Sequence, residues 1–111
     1  MRTEMFVDGA MPFEEARDAT GTCVEKIVSQ LSELPEAIGT LVVRINVEAD
    51  GRSSSVRFLT DTLVARPWDV RENDATTARA QIQMTVHQAF SDYEYPSAEG
   101  ASVITVPITF D

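Results

Sequence analysis

The run L-V-V-R-I-N-V-E-A-D-G-R-S-S-S-V-R-F-L, residues 41–59, alternates apolar and polar side chains on both sides of an Asp-Gly pair. In an extended chain, Leu41, Val43, Ile45 and Val47 fall on one face, and Arg44, Asn46 and Glu48 on the other. Val42 is the apolar exception. Asp50-Gly51 signals a two-residue hairpin turn, because both central positions favour positive φ. Pairing Ala49 with Arg52 then sets Val47 opposite Ser54, Ile45 opposite Val56 and Val43 opposite Phe58. The apolar residues of both strands share one face, which supports the register independently. The other face pairs Arg44 with Arg57 and Val42 with Leu59.

Downstream, V-I-T-V-P-I-T-F, residues 103–110, alternates in the same way. Ile104, Val106, Ile108 and Phe110 face inward; Val103, Thr105, Pro107 and Thr109 face outward. Proline has no backbone donor, which predicts an edge strand with the missing N–H turned away from the sheet. An edge leaves backbone groups open to a partner strand, or in need of protection.

Two helices frame the hairpin. Pro12 reads as a first helical position, with Glu14 and Glu15 in the favourable first turn. Ala16, Ala19, Cys23 or Val24, Ile27, Val28 and Leu31 recur at helical spacing, predicting a helix over 13–34 that stops before Pro35. Gly21 lies inside it, as a mark of close packing or of a bend. Residues 61–72, with Trp68 beside Pro67, read as an ordered loop. Asn73 or Asp74 then caps a second helix over 75–90, with an inner stripe of Ala78, Ile82, Val86, Ala89 and Phe90. The order helix, strand, strand, helix, strand predicts a two-layer α+β domain over 1–111, a small antiparallel sheet with helices on one face. Residues 1–12 are an N-terminal extension, 41–60 the hairpin and 102–110 the edge strand. Val42, Leu59 and Val103 need cover on the open face. Met5-Phe6-Val7 can supply it as an added strand or flap, and so can a second subunit.

The 111 residues suit one domain, and a hydrophobic fraction of 43% is ordinary for a folded chain. A net charge of −9 argues against nucleic acid and anionic membrane surfaces. Cys23 is the lone cysteine, so no intrachain disulfide forms. No apolar run is long enough for membrane insertion, and residues 1–10 lack the apolar core of a secretion signal.

The run G-T-L-V-V-R-I-N-V-E-A-D-G-R-S-S-S-V-R-F-L-T-D-T-L, from Gly39, resembles the opening hairpin of TonB C-terminal-type domains. The tail F-S-D-Y-E-Y-P-S-A-E-G-A-S-V-I-T-V-P-I-T-F is similar to that family's aromatic-proline pair, Gly-containing turn and closing V-P-[IF]-x-F strand. Within the family it looks most like the AgmX/PglI-type C-terminal domains, over residues 39–110. The resemblance implies a non-enzymatic module that binds a protein or peptide partner by strand addition, as in transport across an envelope. The chain departs from the pattern in three ways. It has no transmembrane anchor or Pro-rich spacer, it is acidic, and its 61–74 segment is long. A full-length chain is expected in the cytoplasm, and an excised TonB-like domain in the periplasm.

Cys23 and His87 are the thiol–imidazole candidates, each on a predicted helix. One Cys and one His are too few for a zinc site. Residues 50–55 lack the spaced ligands of a calcium loop, and no Gly-rich phosphate loop occurs. No catalytic residue, metal or cofactor is therefore expected. Arg44 opposite Arg57 costs about 0.2–1 kcal/mol unless carboxylates such as Glu48 compensate, or an anionic partner does. Trp68 is either folded on the core or an anchor for a partner. The expected partner-binding residues are Val103, Thr105, Pro107, Thr109, Arg44, Arg57 and Trp68. The alternative function is a homodimeric assembly protein whose strand edges pair with each other; a small enzyme or ligand-binding domain is the third.

Overall fold

The computed structural model describes residues 1–31, 37–65 and 72–111, with residues 65 and 72–76 as backbone alone. Along the chain run β1 (Arg2–Thr3), β2 (Phe6–Gly9), α1 (Phe13–Leu31), β3 (Ala37–Val47), β4 (Ser53–Asp61), β5 (Val64–Ala65), α2 (Glu72–Asp92) and β6 (Ser102–Phe110). The α+β architecture with helices packed on an antiparallel sheet is the one the alternation predicts. No described helix is long and apolar enough to cross a membrane.

The strand order corrects one expectation. The sheet runs β1-β6-β3-β4, with β2 also on β6 and β5 also on β3. The strand over 103–110 is therefore interior, with β3 on one side and the N-terminal strands on the other. Thr3 pairs with Ile108 and Phe6 with Thr105 in one unbroken register, so Glu4 lies opposite Pro107. The Glu4 N–H donates to the Pro107 carbonyl at 3.1 Å. The nitrogen and carbonyl of one strand residue point the same way, so the proline's missing donor also faces Glu4. The reciprocal bond has no donor, and the N-terminal strand is interrupted there into β1 and β2. Proline is thus accommodated inside the sheet by breaking its neighbour, at a cost of about one ladder hydrogen bond, 0.5–1.5 kcal/mol. Of Met5-Phe6-Val7, the last two do open an added strand, β2, but beside β6 rather than over the open face: Met5 and Val7 pack against the core and Phe6 turns outward.

The hairpin closes differently from the two-residue reading, yet its middle keeps the expected register. The Glu48 N–H donates to the Arg52 carbonyl at 2.8 Å and the Gly51 N–H to the Glu48 carbonyl at 2.9 Å, a three-residue loop. Gly51 has φ 92°, and no residue other than glycine has positive φ among those described. That is a turn followed by a left-handed glycine, not a turn with two left-handed positions. Val47 consequently faces Ser53. A bulge at Ser54 restores the frame, so Ile45 faces Val56, Arg44 faces Arg57 and Val43 faces Phe58. A second bulge, at Leu59, sets Val42 opposite Thr60. Any Cβ on Gly51 would collide with the Tyr95 carbonyl, and the Tyr95 N–H donates to the Gly51 carbonyl at 3.0 Å.

Residues 64–65, within the segment that reads as loop, instead form β5 and continue the β4 lane against Ala37 and Ile38. α2 begins at Glu72, so Asn73 and Asp74 lie within its first turn rather than capping it. Trp68, Pro67 and the predicted end of α1 lie outside the described residues. The core joins Ala16, Ala19, Cys23 and Ile27 of α1, the expected five-residue stripe of α2, and the inward faces of β3 and β6. Val28 is exposed, so the α1 stripe is narrower than its periodicity suggests.

Two measurements test this arrangement. By parity with Glu4, the amides of Phe6 and Asp8 point at β6, and those of Thr3, Met5 and Val7 at solvent. Hydrogen exchange read residue by residue should show protection at 4, 6 and 8, and near-free exchange at 3, 5 and 7. Gly21 is exposed in mid-helix and nothing lies within 4 Å of where its Cβ would stand. Gly21→Ala should therefore raise stability by about 0.5–1 kcal/mol in urea unfolding.

Candidate functional site

The helices cover one face of the sheet and leave the other open. Strand alternation places Arg2, Glu4, Phe6 and Asp8 on the open face from the N-terminal lane. β6 adds Val103, Thr105, Pro107 and Thr109; β3 adds Val42, Arg44 and Asn46; β4 adds Ser55, Arg57 and Thr60. Six of the seven residues expected to bind a partner therefore meet on one surface. Four of them sit there as the outward side of an interior strand, not as an edge. The seventh, Trp68, lies outside the described residues.

One cross-strand row runs Phe6, Thr105, Arg44, Arg57. Phe6 is 59% exposed, an unusual position for a large aromatic ring on a strand. It lines a shallow groove with Val7, Asp8, Arg44, Val103 and Thr105. Arg44 and Arg57 stand directly opposite each other, and among the described residues neither is paired with a carboxylate. The Arg44 Nε is buried and has no hydrogen-bond partner. Compensation by neighbouring carboxylates is thus not what the structure places there. Of the carboxylates on this side, Glu4 and Asp8 stand two lanes from Arg44, across β6, Asp111 is bound to Arg2, and Glu48 lies past the end of β3.

Phe6, Glu4 and Asp8 were not expected at the site. Period-two alternation over 2–8 was the available signal, but Phe6 falls on the polar side of it and obscures the pattern.

The free edges are poor templates for strand addition. β4 carries both bulges, and the N-terminal lane is broken at Glu4 and carries charged side chains.

Cys23 and His87 are not brought into one hydrogen-bonded pair. The Cys23 Sγ donates to the Ala89 carbonyl at 3.5 Å between the two helices, and its residue is 1% exposed. His87 is exposed and its Nδ1 lies 3.3 Å from the Ser91 hydroxyl. Burial pushes the thiol from an ordinary 9.0 to about 11, outweighing a hydrogen bond with Tyr95 and the charge of Lys26. Burial likewise pushes the Tyr95 hydroxyl up. That hydroxyl donates to the Phe90 carbonyl at 2.8 Å, satisfying an acceptor left free in the last turn of α2. The Ser53 hydroxyl does the same for Ser91 at 3.2 Å. Tyr95 thereby ties α2 to the hairpin turn.

Comparison with protein-family models, curated proteins and solved structures finds no match.

A thiol held at about 11 carries roughly 100-fold less thiolate at neutral pH than one at 9.0. Native protein at pH 8 should thus resist iodoacetamide by at least that factor relative to the urea-unfolded chain. The unfolded chain also loses this proton first. The Cys23 contribution to stability should therefore fall as pH rises from about 9 to about 11, a slope absent in Cys23→Ala.

Proposed function

We propose that the chain is a non-enzymatic protein-interaction module that docks a partner protein on the open face of its sheet. The carrying observation is the row Phe6, Thr105, Arg44, Arg57, where an exposed aromatic ring adjoins two arginines that pair with no carboxylate among the described residues. Aromatic rings and arginines are the side chains that most often dominate binding energy at interfaces. A guanidinium that has no carboxylate among the described residues gains a charge-assisted hydrogen bond when a partner's carboxylate is brought to its open end. The resemblance to TonB-type domains contributes the interaction class. Its particular mode, strand addition at residues 103–110, is closed because both sides of that strand are already paired. The same fact removes that strand from an edge-paired homodimer.

A photo-crosslinking amino acid at Thr105, in cells that make the protein, tests the face directly. A discrete covalent adduct is expected from position 105, and none from the exposed Gln30 on α1. No adduct at 105, or equal adducts at both positions, would sink the reading.

A further inference from the structure

We propose that the partner on the open sheet face is a second copy of this chain, stacked face to face about a two-fold axis parallel to the strands. The inference rests on the open-face reading above.

The first support is charge. The chain carries −9, so most ways of bringing two copies together are repulsive. The open face is much closer to balance: Arg2, Arg44 and Arg57 stand against Glu4, Asp8 and Asp111, with Glu48 just past the end of β3. Two copies meeting there face far less like-charge repulsion than the net charge of the chain implies.

The second support is how those charges are laid out. Glu4 and Asp8 occupy the N-terminal lane; Arg44 and Arg57 occupy β3 and β4 at the other side. Arg2 is already engaged by Asp111 at 3.2 Å. A two-fold axis along the middle of the face lays the N-terminal lane of one copy over β4 of the other, and β6 over β3. The row Phe6, Thr105, Arg44, Arg57 then lies over its own reverse. Each Arg57 meets the ring of the other copy's Phe6, with Glu4 and Asp8 one position to either side. Each Arg44, two lanes from these carboxylates within its own chain, comes within one lane of the other copy's pair. The stacking brings carboxylates toward the Arg44 guanidinium and gives Arg57 a ring face for the arginine–aromatic contact.

The third support is area. Four lanes about 4.8 Å apart, with about eight residues of about 3.3 Å each, project to roughly 500 Å² per copy. A face-to-face pair would bury on the order of 1,000 Å² in total, at the lower bound of a specific interface. Aligned stacking of two sheets is a common arrangement, with strands crossing at about 30°. An interface of this size with charges around it should be reversible and salt-sensitive.

The test is the solution mass of the full chain by sedimentation equilibrium from about 1 µM to about 1 mM, with two charge variants. One is Arg44→Glu with Arg57→Glu; the other is Glu4→Lys with Asp8→Lys. Circular dichroism checks that each is folded. The unmodified chain is expected to reach twice its chain mass, with the dissociation constant rising at least five-fold from 50 to 500 mM salt. Each variant alone is expected to be monomeric, and an equimolar mixture of the two to recover the dimer. Recovery in the mixture separates charge complementarity from damage to the fold. A monomer at every concentration, a dimer that neither variant weakens, or no recovery on mixing would overturn the proposal. A monomer that still crosslinks from position 105 to a different protein would overturn the second copy alone. Absence of both would overturn the open-face reading as well.

Discussion

Backbone pairing along β6 is the constraint on which the rest of the molecule depends. In an antiparallel strand, alternate residues direct their amide and carbonyl to opposite neighbours. The even-numbered residues of β6 point their side chains to the core, and the odd-numbered ones to the open face. Pro107 is odd, so its missing donor is aimed at the N-terminal lane. β3, on the other side, keeps an uninterrupted register with β6 from Gly39 to Val47. The defect is thereby moved off the centre of the sheet, to an outer lane that is short and easily broken. A proline one position earlier or later would have aimed the defect at β3, between the two most buried strands.

This placement also determines the topology. β2 and β3 are both antiparallel to β6, hence parallel to each other with β6 between them, and α1 connects them. β4 and β6 are both antiparallel to β3, hence parallel with β3 between them, and α2 connects them. The chain is two interlocked split βαβ units. Both helices lie on one side and the core fills between them and the sheet. Among the described residues, no element covers the other side of the sheet. The charge layout of that face and the exposed Phe6 are what make it a candidate for recognition.

Much of this was legible in the residues. The inner stripe of α2 and the inward sides of β3 and β6 followed from side-chain periodicity alone. The middle of the hairpin was read in the right register for a partly wrong reason. The turn is one residue longer than a two-residue Asp-Gly turn, and the Ser54 bulge cancels the shift. The pairing of Arg44 with Arg57 survived because Val56 and Phe58 must face the core with Ile45 and Val43. A one-residue slip would expose them all, so burial enforces the register whatever the turn does. The reading of 103–110 as an edge failed differently. The proline rule concerns the direction of one missing hydrogen bond, and the sequence at 107 does not say which neighbour that direction meets.

The sequence by itself determined which residues alternate, which stripe of each helix is apolar, and therefore which side chains face the core. Those properties depend on residues a few positions apart, and the backbone's own periodicities of two and 3.6 translate them into faces. Only the tertiary structure decided who sits beside whom. That β6 is interior, that residues 2–9 form its second neighbour, and that Phe6, Glu4 and Asp8 share a face with Arg44 and Arg57 all depend on contacts far apart in the chain. Cross-strand neighbours are selected by the global packing of helices over the sheet, and no local pattern encodes that choice.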